Sequence, residues 1–152
     1  MHVYDIDGDG KMDVLTSSAH NFGIWWFQQT VTKDGKTQFV QRVLFKDMIA
    51  QTHSLCVADI DGDGVKDFVT GCRWWAHGAK GDTGEKQKPV LYWFQAKKGT
   101  DGVVTFLPHL IDEDSGVGTQ FVVTDVNGDG VPDVVISNKR GVFVFIQVRR
   151  KQ

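Results

Sequence analysis

The chain of 152 residues has 41% apolar and 11% aromatic side chains, enough for one ordinary domain with a hydrophobic core, which excludes intrinsic disorder as its main state. Its 17 basic and 19 acidic side chains leave a net charge of -2, so neither a nucleic-acid partner nor a polybasic membrane surface is indicated. No apolar run approaches the roughly 18 residues of a membrane helix and no secretory signal begins this sequence, so no membrane insertion is expected.

The predicted elements follow a repeated order that starts with an acidic loop, Asp5-Ile-Asp-Gly-Asp-Gly-Lys-Met-Asp13. A β-type run, a second apolar run ending in glutamine and a further extended segment come next, at 14–16, 24–28 and 37–45. The second repeat has the same parts, at 59–67, 68–70, 91–95 and 103–111. The third repeat has only the loop and the two runs, at 125–133, 134–136 and 143–147. Counting the extended approach to each loop, the repeating unit is four strands.

Repeats of four strands with this spacing fit the blades of a β-propeller. Strands such as 24–27 are apolar on both faces, as a sheet packed between two neighbours requires. We therefore predict an all-β fold of propeller blades, each of four antiparallel strands, with about three blades in a single segment over 1–152. The blades are expected at about 1–46, 53–111 and 119–150, the last without its outer strand.

Three blades cannot close a ring, because propellers usually need four to eight. Two alternatives follow for the partner of this segment. Either the rest of a longer propeller chain completes the ring, or copies of a short chain complete it as a homo-oligomer.

The acidic loops carry oxygen ligands in the alternating pattern that suits Ca²⁺. Positions 1, 3, 5 and 9 offer side-chain oxygens and position 7 offers a backbone carbonyl. The expected ligands of up to three calcium sites are Asp5, Asp7, Asp9, Lys11 and Asp13; Asp59, Asp61, Asp63, Val65 and Asp67; and Asp125, Asn127, Asp129, Val131 and Asp133. Without a counter-ion each loop would be a cluster of repelling carboxylates.

A metal-free turn, an EF-hand and a magnesium site each fit the acidic loops less well. A metal-free hairpin turn accounts for a single Asp-Gly pair, but poorly for three copies at corresponding positions. An EF-hand needs a bidentate acid at the twelfth position, where Thr16, Thr70 and Ile136 stand instead. Magnesium is disfavoured because it resists an all-protein cage.

The pattern Asp-x-Asp-Gly-Asp-Gly-x-x-Asp between β strands resembles the FG-GAP or VCBS repeat, the calcium-binding blade unit of integrin-α-type propellers and of many secreted bacterial proteins. The resemblance covers nearly the whole chain. It implies structural calcium that fastens the hairpin between the first two strands of each blade, and an extracellular or periplasmic location. Asn127 departs from the pattern, so the third site is expected to be weaker.

An insertion in the second blade lies on the face opposite the acidic loops, and long loops on a rigid scaffold are usual sites of function. Its Trp74 and Trp75 stand near Arg73 and Lys80, a composition suited to stacking on sugar rings and binding their hydroxyls or carboxylates. The simpler interpretation is that the tryptophans only pack the insertion down.

Three histidines, His20, His53 and His77, are expected on that same face. Neutral imidazoles bind zinc well, so a three-histidine Zn²⁺ site with an open position is one hypothesis, against ordinary surface or packing roles. The propeller of fungal aldos-2-ulose dehydratase resembles this repeat family, and that resemblance implies a metal-dependent lyase acting on a keto sugar.

Three functions therefore stay open. The leading hypothesis is a non-catalytic, calcium-stabilised propeller segment that recognises a glycan or a protein. The alternatives are the propeller part of a metal-dependent sugar lyase or dehydratase, and a purely structural repeat fragment. No nucleophile elbow, phosphate-binding loop or Cys-x-x-Cys pair supports acyl or phosphoryl transfer.

Overall fold

The computed structural model of the chain describes residues 1–75, 81–84 and 86–149. Every regular element in these ranges is a β strand, and they contain no helix long and apolar enough to cross a membrane. The strands form three antiparallel sheets that do not close into a ring. The predicted all-β fold of propeller blades is therefore confirmed.

The first sheet consists of β1 (His2–Tyr4), β2 (Asp13–Ser17), β3 (Phe22–Val31) and β4 (Thr37–Ala50), side by side in chain order. The strand β4 continues beyond Phe45, the predicted end of its segment, through the charged residues Lys46 and Asp47. A bulge in the pairing of β3 with β4 accommodates those residues, after which Ala50 pairs with Phe22.

The second sheet repeats this order with β5 (Leu55–Ala58), β6 (Asp67–Gly71), β7 (Leu91–Lys98) and β8 (Val104–Asp112). Pro108 lies in β8 opposite Phe94. Because β8 is the edge of the sheet, a residue without an N–H group is tolerated there.

The third sheet has three strands in the described part of the chain, β9 (Phe121–Thr124), β10 (Asp133–Asn138) and β11 (Gly141–Phe145). The middle strand, β10, pairs with both of the others. The sheet thus matches the first three strands of the other two sheets.

Two hydrophobic cores hold the sheets together, one on each side of the second sheet. Alternate residues of β6 enter different cores, since Phe68 belongs to the first and Val69 to the second. Phe68 stacks on Phe94 with 4.5 Å between the ring centroids. All five residues of β6 are buried, as expected for a blade packed between two neighbours.

The outward faces of the first and third sheets remain apolar although no described residue packs over them. Val3 and Val43 on the first sheet are more than half exposed, and so are Val122, Val142 and Val144 on the third. These faces differ from the middle sheet only in lacking a neighbour, because strand alternation places apolar residues on both sides of every blade.

Candidate metal centres

The first acidic loop folds around its own first carboxylate. Asp5 follows β1, and its two oxygens accept backbone hydrogen bonds from Gly8, Asp9 and Gly10 at 2.7, 3.1 and 2.9 Å. Both glycines have positive φ angles, 75° and 85°, which residues with a side chain rarely adopt. The first aspartates of the second and third loops accept the same set of bonds. The repeated sequence therefore produces the same turn three times.

The last aspartate of each loop, at the start of the second strand of its sheet, is completely buried: Asp13, Asp67 and Asp133. One oxygen accepts the N–H of the second loop residue, and the other accepts an N–H from the third strand or the residues just after it, at 2.7 to 3.3 Å. Burial raises the pKa of the Asp13 and Asp67 carboxyls, because the charged form loses its hydration. These carboxylates tie each loop to the body of its sheet.

Three carboxylates converge in each of the first two loops. One oxygen of every member lies within 4.8 Å of the others in two sets: Asp5, Asp7 and Asp13; Asp59, Asp61 and Asp67. Within the described ranges no other cluster of three or more acidic, histidine or cysteine side chains meets this distance. An all-oxygen set of this charge suits a hard cation such as Ca²⁺ and is less typical of Zn²⁺, which favours nitrogen and sulfur ligands.

The fifth loop position does not join these clusters. Asp9 lies 2.6 Å from the ammonium group of Lys11, and Asp63 lies 3.2 Å from that of Lys97. Each fifth-position aspartate of the first two loops is thus paired with a lysine. The carbonyl ligands expected at the seventh position, those of Lys11, Val65 and Val131, stay predictions.

The third loop lacks a carboxylate cluster in the structure. Asn127 stands at its third position and donates from Nδ2 to Asp129 at 3.0 Å. Backbone N–H groups of Gly130 and Gly128 lower the pKa of Asp125, since they stabilise its charged form. This loop keeps the shared turn but concentrates less negative charge in one place.

Glutamines on the third strand support the first two loops, a contact that the sequence pattern alone does not reveal. Gln28 donates from Nε2 to Asp7 at 2.6 Å, and Gln95 donates in the same way to Asp61. The recurrence of glutamine after each apolar run is the sequence signal for this contact. The contact itself depends on how the third strand lies beside the loop.

The alignment of the third repeat on Gln147 was wrong by one residue. In the first two sheets, the phenylalanine before the glutamine pairs with the residue that follows the last loop aspartate. In the third sheet that residue, Val134, pairs with Phe145, so Ile146 takes the place of the glutamine. Gln147 instead donates to the carbonyl oxygen of Ile60 in the second loop at 2.9 Å.

Basic residues also connect neighbouring sheets at this end. Lys98 of the second sheet donates to the carbonyl oxygen of Asp7 in the first loop. Arg149, after the third sheet, lies beside Gly62 of the second loop, where an added Cβ would be 2.9 Å from its Nη2. A basic side chain of the next repeat therefore lies against each of the first two acidic loops.

The opposite face brings together several predicted residues. His20 Nδ1 and Arg73 Nη2 lie 2.8 and 3.1 Å from the same Oδ2 of Asp82. The rings of His20 and His53 meet edge to face, with 4.9 Å between their centroids. His77 and Lys80 lie outside the described residues, so the zinc site and the role of the lysine stay predictions.

Trp74 and Trp75 also lie on this face and are exposed. The ammonium group of Lys139 lies 3.5 Å from the centre of the Trp75 ring, and the guanidinium carbon of Arg140 lies 5.7 Å from that of Trp74. These two bases come from the turn between β10 and β11. The sequence gives no sign of this contact, because the bases belong to a different sheet from the tryptophans.

Comparisons with known proteins agree with the repeat structure. The model of the FG-GAP-like repeat matches residues 5–70, and that of the FG-GAP repeat matches residues 117–145. No curated protein matches the chain significantly. The expected similarities to the VCBS repeat and to the aldos-2-ulose dehydratase propeller stay predictions. Both family matches include parts of the strand, acidic loop and strand unit described above, and together with the sheet order they indicate a β-propeller-like repeat module.

Proposed function

We propose that the chain is a non-catalytic, calcium-binding propeller module in which the ions are structural and the opposite face recognises a ligand. The convergence of three carboxylates within 4.8 Å in each of the first two loops carries the calcium part of this proposal. Two unit charges about 4 Å apart repel each other by roughly 4 kcal/mol at the effective dielectric constant of a protein surface. A divalent cation bound between the carboxylates replaces this repulsion with attraction.

The residues present fit such an ion. Asp5, Asp7 and Asp13 would hold the first cation, and Asp59, Asp61 and Asp67 the second. The first and last of each set already have their oxygens positioned by backbone N–H groups. The ion would join the two ends of the loop and so fasten the hairpin. The third loop is the weakest candidate, because Asn127 removes one charge from it.

Thermal unfolding tests the calcium role. Addition of EDTA should lower the melting temperature, and excess Ca²⁺ should restore it, whereas Mg²⁺ at equal concentration should have a smaller effect. Calcium at about 100 times its dissociation constant stabilises the folded state by roughly 2.7 kcal/mol per site. The double variant Asp59→Asn/Asp61→Asn should lose part of this response. Asp101→Asn, in the turn between β7 and β8, is the matched control, and an unchanged melting curve in EDTA contradicts the proposal.

The proposed location is extracellular or periplasmic. Its support is the match to FG-GAP repeats together with the lysines that pair with Asp9 and Asp63. These pairs reduce the ligand charge of the loops, which favours weak sites suited to millimolar calcium. Isothermal titration should therefore give dissociation constants of about 10⁻⁴ to 10⁻³ M. A nanomolar site would argue against this location, because it would be typical of an intracellular calcium buffer.

Further propeller blades are proposed to cover the outward faces of the first and third sheets. The support is their apolar surface, which includes Val3, Val43, Val122, Val142 and Val144. The middle sheet shows how such faces pack when a neighbour is present. A longer chain would supply these blades, and a homo-oligomer is the alternative. Light scattering distinguishes the two, because a monomer of this segment supports the first and a defined multimer supports the second.

A further inference from the structure

A pocket of about 320 Å³ opens between the second and third sheets. Three chain segments form it: the residues after β6, the connection that leads into β9, and the turn that follows β10. The acidic loops lie at the other ends of β6 and β10, so the pocket is on the opposite face. Its volume is at the lower end of the about 300–1,000 Å³ that small-molecule sites occupy.

The floor of the pocket is held by a close approach of backbone segments. Val117 forms an isolated parallel bridge with Arg73 and donates from its N–H to the carbonyl oxygen of Cys72 at 3.0 Å. A Cβ on Gly118 would lie 2.0 Å from the carbonyl oxygen of Ser137, so only glycine allows this approach. The pocket is thus built on rigid backbone contacts between two sheets.

Arg73 supplies a buried donor with unused hydrogen-bonding capacity. Its side chain is 9% exposed, and its Nη2 binds Asp82 at 3.1 Å. Its Nε is buried and has no hydrogen-bond partner among the described residues. A buried guanidinium N–H without a partner is costly, and an anionic oxygen is the acceptor that satisfies it best.

The walls of the pocket combine aromatic rings with positive charge. Trp74 and Trp75 line one side, and Lys139 lines the other with its ammonium group over the Trp75 ring. No acidic side chain is among the described residues that line the pocket. Asp82 offsets part of the charge of Arg73 from outside the lining. The remaining positive charge favours an anion over a neutral ligand.

The other lining groups are suited to hydroxyls. Thr119 and Ser137 contribute two hydroxyl groups beside the tryptophan rings. The Asn138 amide donates to the carbonyl oxygen of Ser115 and accepts the N–H of Arg140, which leaves it one further donor hydrogen and one lone pair. A sugar presents an apolar ring face, which packs on an aromatic side chain, and hydroxyls that bind such polar groups. A peptide carboxylate would use Arg73 and Lys139 but would leave most of these polar groups without a specific partner.

We propose that this pocket binds a carboxylated saccharide, with the carboxylate of a uronic or sialic acid residue at Arg73 Nε and Lys139. The sugar ring packs against Trp74, and its hydroxyls contact Thr119, Ser137 and Asn138. This deepens the recognition role proposed for the face and rests on it, but it does not depend on calcium in the acidic loops.

A panel of oligosaccharides provides the test. It contains oligogalacturonides, glucuronate-bearing and sialylated glycans, the methyl esters of each as neutral matched controls, and an oligoglutamate peptide. At least one acidic glycan should bind and change the tryptophan fluorescence, with its methyl ester bound at least about tenfold more weakly. Binding of the ester equal to that of the acid overturns the role of the carboxylate. Binding of the peptide alone overturns the saccharide, and no binding by any probe overturns the recognition role as well.

Three variants test whether the acidic glycan binds in this pocket. Lys139→Gln should weaken binding of the acidic glycan at least about fivefold. It should lower the melting temperature only slightly, because Lys139 is exposed and loses only its contact with the Trp75 ring. Arg73→Lys keeps the charge that faces Asp82 but removes Nε, and it should weaken binding further. Lys33→Gln, in the turn between β3 and β4, is the control that should bind normally. Equal affinity in all three variants excludes this pocket.

Discussion

The second and third acidic loops share a turn but differ in what surrounds it. In the second, three carboxylates converge, and Gln95 and Lys97 reach them from β7. In the third, Asn127 replaces a carboxylate and Ile146 stands where the glutamine would be. The comparison teaches that the shared aspartate and glycine positions specify the backbone turn. The third loop residue sets how much charge the loop concentrates, and the neighbouring strand supplies the side chains that contact that charge.

Burial distinguishes the same two loops. Asp67 accepts bonds from the N–H groups of Ile60 and Ala96, both in buried residues. Asp133 accepts the equivalent bonds from Val126, which is exposed, and from Gln147, which is partly buried. The difference follows from position, because the second sheet is covered on both faces and the third on one.

The largest expected effect is on the free energy of unfolding when one of these buried carboxylates is removed. The measurement is made in EDTA, so that bound metal does not contribute. Asp67→Ala leaves two buried N–H groups without an acceptor, and each costs about 1–3 kcal/mol. We expect the free energy of unfolding to fall by roughly 3 kcal/mol. Asp133→Ala should cost about 1 kcal/mol, because water can reach its donors. Urea unfolding measures both, and equal losses would show that burial does not distinguish the loops.

A smaller effect, on calcium affinity, is expected when the residues at the third position of the second and third acidic loops are exchanged. Asn127→Asp adds the missing carboxylate to the third loop and should raise its calcium affinity about tenfold, as ligand charge tunes such sites. Asp61→Asn should lower the affinity of the second loop by a similar factor. Isothermal titration calorimetry of both variants measures the change. If Asn127→Asp binds calcium no better than the unchanged chain, the asparagine does not limit the third site.

The smallest expected effect, also on calcium affinity, comes from replacing Gln95, the glutamine that contacts the second loop. Gln95→Leu removes the hydrogen bond to Asp61 and should weaken calcium binding at the second loop about threefold, because one such bond contributes roughly 0.5–1.5 kcal/mol. Ile146→Gln introduces the same group beside the third loop and should strengthen binding there by a similar factor. Calorimetry at constant ionic strength compares them. Gln29→Leu in the first sheet is the control, since the backbone N–H of Gln29, rather than its side chain, donates to the loop.

Much of the fold and of the metal centres was predictable because their physical causes are local. The continuous apolar run at 24–27 implied a sheet covered on both faces, and the repeated Asp-Gly pattern implied the same tight acidic loop in each repeat. The prediction failed where two segments had to be aligned in space. Sequence alignment alone could not show that Ile146, and not Gln147, takes the glutamine position, because strand register depends on pairing across the sheet.

The repetition of an acidic loop followed by β-type runs was enough to predict the all-β repeats and the acidic turns, since these depend on near neighbours in the chain. The grouping of Arg73, Trp75 and Lys139 into one pocket was not accessible in this way. It arises from the packing of two sheets whose contributing residues are far apart in the chain. The same packing determined which carboxylates are buried and which acidic loops contact a basic side chain of the next repeat.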